Sequence, residues 1–166
     1  MEKLRTILDR TIEVLSIIIM SLMTILVSWQ VITRYFLNKP SVVSEQLAQY
    51  LFVWLIMYVS AYVFGKRGHM QITFLRDLTK KKNIIAMDII QEIIITIFVM
   101  SVMIYGGYFS SLRQMTQLDA ALPISIGIIY SALPISGLFT IFYSISNIKR
   151  IVEKNRREKK WMYHFK

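Results

Sequence analysis

Four uninterrupted apolar blocks dominate this chain, and each has the length of a bilayer crossing. They run from about Ile12 to Phe36, Leu47 to Phe64, Ile84 to Phe109 and Ile124 to Ile148. A helix spanning the ~30 Å hydrocarbon core needs about 20 apolar residues. Lipid offers no hydrogen bonds to the backbone, so only helices and closed barrels cross it, and these blocks lack the alternation of barrel strands. The expected fold class is all-α integral membrane with four transmembrane helices. The spans use most of the 166 residues. Residues 1–148 are therefore read as the membrane domain and 149–166 as a basic tail, with no separate soluble domain.

The charge is distributed in a way that orients these helices. Of the 20 basic residues, all but Arg34, Lys39 and Arg113 fall before the first block, between the second and third, or after the fourth. Loops rich in Lys and Arg stay in the cytoplasm, which predicts N-in, C-in topology. The formal net charge of +10 thus has a topological cause, and nucleic-acid binding is the weaker reading. Anionic lipid would add attraction worth about 1 kcal/mol per basic residue near the surface. The N-terminal block is too long for a signal peptide and leads into Arg34-Tyr35-Phe36 instead of a small-residue cleavage site. With no cysteine, neither disulfides nor thiolate metal sites are possible.

Between the blocks, residues 1–11 place Leu4, Ile7 and Leu8 on one face and are expected to lie in the interface before the first crossing. Asn38-Lys39-Pro40-Ser41 reads as an outer turn, with Ser44 as helix cap and Glu45 as an acid in the first turn. Ile72, Leu75 and Leu78 recur among the charges of the Gly65–Asn83 connection. They suggest an amphipathic helix in the membrane surface, the alternative being an irregular basic loop. The outer stretch from Ser110 to Pro123 is mostly uncharged, and the tail is expected to prolong the fourth helix before fraying.

Polar and small residues inside the blocks are the candidate sites. Ala132, Ser136, Thr140 and Ser144 recur every four residues beside Gly137, a stripe that lets another helix approach closely unless it is chance enrichment. Pro134 in the same span should bend it. Arg34 and Glu45 end adjacent antiparallel helices and either pair or leave Arg34 to snorkel. Trp29, Tyr35, Tyr50, Tyr62 and Tyr108 suit aromatic belts, whereas Trp54 lies deeper and needs an indole partner. Asp88, Gln91 and Glu92 share a face at the start of the third span. Their position favours an interfacial structural role, with partner contact or an ion pathway as the alternative.

Chemistry is harder to find. His69 and His164, the two histidines, sit in no metal-binding motif, so no metal or cofactor is expected on this chain. No phosphate loop and no nucleophile–base arrangement is readable, which argues against an enzyme. A carrier acting alone would place charges or broken helices at the bilayer midplane, and the central portions of these spans hold no ionisable residue.

The segment Arg34-Tyr35-Phe36-Leu37-Asn38-Lys39-Pro40, followed by Ser44-Glu45-Gln46-Leu47-Ala48-Gln49-Tyr50-Leu51-Phe52-Val53-Trp54, resembles the small membrane subunit of tripartite ATP-independent periplasmic (TRAP) transporters, the DctQ-like family. Lys66-Arg67-Gly68-His69-Met70, Leu122-Pro123, Tyr130 and Leu133-Pro134 extend the likeness over roughly residues 12–148. Val43 stands where that family often has Trp, and Gln46 where it often has a second acid. The resemblance implies a non-catalytic Q-type subunit of a sodium-coupled importer of organic acids, such as sialic acid or C4-dicarboxylates. Its implied partners are a large M-type membrane subunit, which would carry substrate and sodium, a periplasmic substrate-binding protein, and lipid. Arg34, Ser44, Glu45, Trp54, Arg67 and His69 would then serve hairpin architecture, subunit contact and anchoring. The rivals are a stand-alone four-helix multidrug exporter working as a homodimer, with Glu13 as its one candidate acid, and a membrane anchor for an unrelated complex.

Overall fold

The computed structural model describes residues 2–66 and 84–164, and apart from a single bridge between Leu118 and Ser125 its regular elements are helices. They are α1 (Glu2–Tyr35), α2 (Val42–Gly65), α3 (Ile84–Phe98), a π-helical segment (Val99–Gly106), α4 (Gly107–Gln114), α5 (Ile126–Tyr130) and α6 (Ala132–His164). Taken together they supply four stretches long and apolar enough to cross a membrane: Glu2–Tyr35, Val42–Gly65, Ile84–Gln114 and Ile126–Glu153. Residues 14–33, 46–65, 93–112 and 120–148 contain no Asp, Glu, Lys, Arg or His. Each stretch therefore carries an uncharged length of ~30 Å or more at 1.5 Å per residue.

α2 and α6 form the middle of the bundle; α1 lies against α2, and the third span lies against α6. Lipid tails are as apolar as the side chains, so close van der Waals packing drives this association. Small residues accordingly mark the centre, with Ala48 and Ala61 of α2 and Ala132, Ser136, Thr140 and Ser144 of α6 all buried. The α6 stripe thus packs inside its own chain, where Gly137 admits Val99, Met103 and Ile104 of the π segment.

α1 differs from the sequence expectation. Residues 2–11 are not a separate interfacial stretch but the first turns of one 34-residue helix. The cause is local and tertiary at once. The first proline is Pro40 and the first glycine Gly65, so nothing breaks the helix, and Arg5 is buried against α2 and α6. The outer turn follows Tyr35, with Asn38 at a positive φ of 50° that Asn tolerates well. The helix cap is Ser41, not Ser44. Ser41 Oγ accepts from the Ser44 amide at 3.4 Å, and Ser44 is buried one turn inside, donating to Ser41 O at 3.0 Å. Ser41 has the extended backbone of a cap residue (φ −92°, ψ 101°), which lets its side chain take that position.

The fourth span is interrupted at Ser131, between α5 and α6. Pro134 has no amide to give Tyr130 O, which places the break three residues before the proline. The amphipathic helix expected between Gly65 and Asn83 lies almost wholly outside the described residues. α6 runs through residues 148 and 149 without a break.

Candidate functional site

The end of the bundle that holds both chain termini is tied together by charges. Arg5 donates from Nη1 to Ser146 Oγ at 3.2 Å and Asn147 Oδ1 at 2.9 Å, and from Nη2 to Gly65 O. Its guanidinium also lies 5.5 Å from the centre of the Tyr143 ring. One side chain of α1 thereby satisfies the last carbonyl of α2, at the negative end of that helix, and two side chains of α6. Around it, Tyr143 Oη donates to Asp9 at 2.5 Å, and Lys66 pairs with the same carboxylate at 3.1 Å. The Asp9 carboxylate holds the Lys66 ammonium above its usual range. Further out, Arg150 clasps Glu2 through two nitrogens, and Tyr62 donates to Glu13, which also pairs with Arg10 at 3.7 Å. Glu13 is thus an end-of-bundle acid bound to its neighbours rather than a midplane cation site.

A cavity of about 340 Å³ lies between α2, α3 and α6, with Ala61, Phe64, Ile95 and Phe98 on its apolar walls and Asp88 and Glu92 on its polar side. Glu92 is buried and accepts from Ser144 Oγ at 2.9 Å, while Thr96 and Ser144 hydroxyls meet at 2.8 Å. Ser144 therefore closes the α6 stripe on the acid of α3.

At the other end the loop between α4 and α5 is built around Asp119. Its Oδ1 accepts from the amides of Ala121 at 2.8 Å and Leu122 at 3.1 Å, and its Oδ2 accepts from Tyr50 Oη of α2. Ser125 caps α5, accepting from the Gly127 amide at 3.1 Å and donating to Met115 O at 2.8 Å. These donors hold the Asp119 carboxyl below its ordinary value, the Tyr50 hydroxyl most of all. A depressed carboxyl stabilises the fold above its unfolded value, 3.8, and loses that contribution as pH falls through the lower folded value. Amide protection at Ala121 and Leu122 should hold at neutral pH and fall below about pH 3.8. In Asp119→Ala, which removes the acceptor, the fall should vanish and protection should be low throughout, as read by hydrogen exchange.

Comparison with known proteins settles the family. Residues 23–154 match the family described as tripartite ATP-independent periplasmic transporters, DctQ component. The chain belongs to the DctQ family. A relative from Vibrio cholerae serotype O1, the sialic acid TRAP transporter small permease protein SiaQ, is 26% identical over 153 residues, 92% of this chain and 88% of its own length. A protein of Haemophilus influenzae, provisionally named a TRAP transporter small permease, is 33% identical over 75 residues, 45% of this chain and 47% of its own. This DctQ chain is accordingly the small permease subunit of a TRAP transporter, in the inner membrane, in a family of transport components.

The residues singled out from the sequence of this DctQ chain do not converge on one site. Arg34 and Glu45 approach to 3.9 Å across the outer turn, with both side chains half exposed. Trp54 meets Tyr58 in a tilted ring contact at 5.5 Å, and Tyr58 meets Phe139 at 5.9 Å, linking α2 to α6. Asp88 and Glu92 share the cavity wall; Ala132, Ser136, Thr140 and Ser144 are buried within the bundle; Arg67 and His69 lie outside the described residues. The Arg5 and Asp119 clusters were missed. Arg5 reads as one more basic residue before a span, and Asp119 as one acid in an uncharged loop. The available signal was that each is an ionisable residue beside an apolar block.

Proposed function

We propose that this small permease subunit braces the large membrane subunit of a sodium-coupled TRAP importer and helps dock its periplasmic substrate-binding protein. The observation that carries the reading is the placement of charge. The four spans have uncharged interiors and are locked by ionic clusters at their ends. Such a bundle offers rigidity without a polar path for an organic acid, so substrate and sodium are assigned to the large subunit. Both termini and the 67–83 connection are assigned to the cytoplasm by their basic residues, which leaves the Asp119 loop and the Arg34–Glu45 turn facing the periplasm. Sialic acid is the first substrate to try, because the SiaQ relative is named for it; C4-dicarboxylates are the next.

The test is co-expression with the large subunit, with a tag on this chain alone. A stable one-to-one complex, with sodium-driven uptake that needs both chains and the binding protein, is the expected result. A homodimer that moves cations alone in proteoliposomes would sink the reading.

A further inference from the structure

The third span changes helix type in its middle, where α3 and α4 flank eight residues of π-helix, Val99–Gly106. That form is rare and usually a single turn. No proline lies in it, the three prolines being Pro40, Pro123 and Pro134, so its cause is sought where the span meets its neighbour. The buried residues of the third span are Glu92, Val99, Gly107 and Ser111, and all four meet the fourth span. Glu92 accepts from Ser144 Oγ at 2.9 Å, and Val99 borders Gly137. Gly107 lies against Leu133 and Pro134, and Ser111 Oγ donates to Gly127 O at 2.7 Å. The two spans thus run antiparallel, in contact along their length.

In an unbroken α-helix these four positions would not share a face. Each residue turns the helix by about 100°, so Val99 would lie within about 20° of Glu92, but Gly107 about 60° and Ser111 about 100° away. From Glu92 to Ser111 there are 19 steps, and covering them in five turns requires about 3.8 residues per turn. Supercoiling does not supply that, since left-handed coils work with about 3.5 and right-handed ones with about 3.67. The break in the fourth span does not supply it either, because Gly107 already meets α6 on the far side of Ser131. One extra residue wound into a wide π turn does, bringing Gly107 and Ser111 back within about 40° of the Glu92 side.

We infer that the π turn is a phase-correcting device: it stores one surplus residue so that the third span grips the fourth at both ends. The span should then tolerate losing a residue there and not gaining one. Without the surplus, Glu92 and Ser111 stand five α-turns apart and both grips are kept, whereas a further residue puts them about 200° out of phase, twice what one wide turn takes up. A plain α-helical span would suffer alike from either change. Ser101 is the residue to remove, being exposed, with its hydroxyl returning to Ile97 O and Phe98 O of its own helix.

The full chain has no cysteine, so Thr96→Cys with Ser144→Cys, whose hydroxyls meet at 2.8 Å, reports the inner grip by disulfide yield in membranes. Deletion of Ser101 should keep that yield within about twofold and the thermal midpoint of the chain within about 3 °C. An alanine inserted after Ser101 should cut the yield at least fivefold and lower the midpoint by about 10 °C or more. Gly127→Ala should remain damaging in the deletion background, because Ser111 still faces Gly127. Equal loss from deletion and insertion would overturn the inference, and so would equal tolerance of both. If Gly127→Ala became harmless once Ser101 was removed, the outer grip would be gone and the inference with it.

Discussion

Arg5→Met is expected to destabilise the protein by about 3 kcal/mol, because it strips a buried cation from three acceptors at once. Methionine keeps the apolar stem length but leaves Gly65 O, Ser146 Oγ and Asn147 Oδ1 without their donor. Hydrogen bonds to a charged group contribute about 1.5–3 kcal/mol, and an orphaned buried acceptor costs about 1–3 kcal/mol. The effects overlap, so they do not add in full. Asn147 Nδ2 already lacks a partner, so the substitution would add orphaned acceptors beside an orphaned donor. Arg5→Lys should recover only part of the loss, since an ammonium lacks the planar fork that reaches two helices together. Thermal unfolding of the detergent-solubilised chain measures this, and a change under about 0.5 kcal/mol would show that the cluster is incidental. The unfolding signal should also report earlier release of the α6 tail, because Glu2 and Arg150 join the same two helices.

Gly127→Ala is expected to cost a similar amount for a different reason. A Cβ there would sit 2.6 Å from Ser111 O and 2.8 Å from the Met115 amide nitrogen. Both are backbone atoms, so relief requires α4 and α5 to move apart. That movement would also stretch the 2.7 Å bond from Ser111 Oγ to Gly127 O. Overpacking of this kind typically costs 1–3 kcal/mol, and about 3 kcal/mol is expected where backbone meets backbone. Gly65→Ala meets the Tyr143 ring, at 2.6 Å from Cγ and 2.7 Å from Cε1. Tyr143 is fully buried and held by Asp9, so it cannot tilt away cheaply. Gly106→Ala is the internal control. Its nearest neighbour would be 3.7 Å away, and helical alanine is favoured over glycine by about 0.5–1 kcal/mol. It should be neutral or slightly stabilising in the same assay, and a loss matching Gly127→Ala would refute the packing account.

Several features were legible in the chain because they follow from local chemistry and the bilayer. Four spans are forced by block length and by the need to satisfy backbone groups in lipid. The break in the fourth follows from one missing amide at Pro134, and the small stripe of α6 follows from a four-residue period. The motif order around Arg34–Trp54 and Lys66–Met70 sufficed to point to the family that the comparison then showed. Other features depended on contacts between segments far apart in sequence. The choice of Ser41 over Ser44 as the cap was instead local, set by the extended backbone at Ser41. Asp88 and Glu92 were visible as a pair of acids, but the bond to Ser144 joins residues 52 positions apart.

What the amino-acid sequence determined by itself was the number of membrane helices, since hydropathy acts within a single segment; it did not fix their bounds, as the start of α1 at Glu2 shows. Only the tertiary structure decided which helix lies at the centre, and that Arg5 and Asp119 hold the two ends. A charge next to an apolar block looks the same whether it meets water, lipid or a carbonyl. Its meaning is set by the helix brought beside it, here 60 residues away for Gly65 and 141 for Ser146.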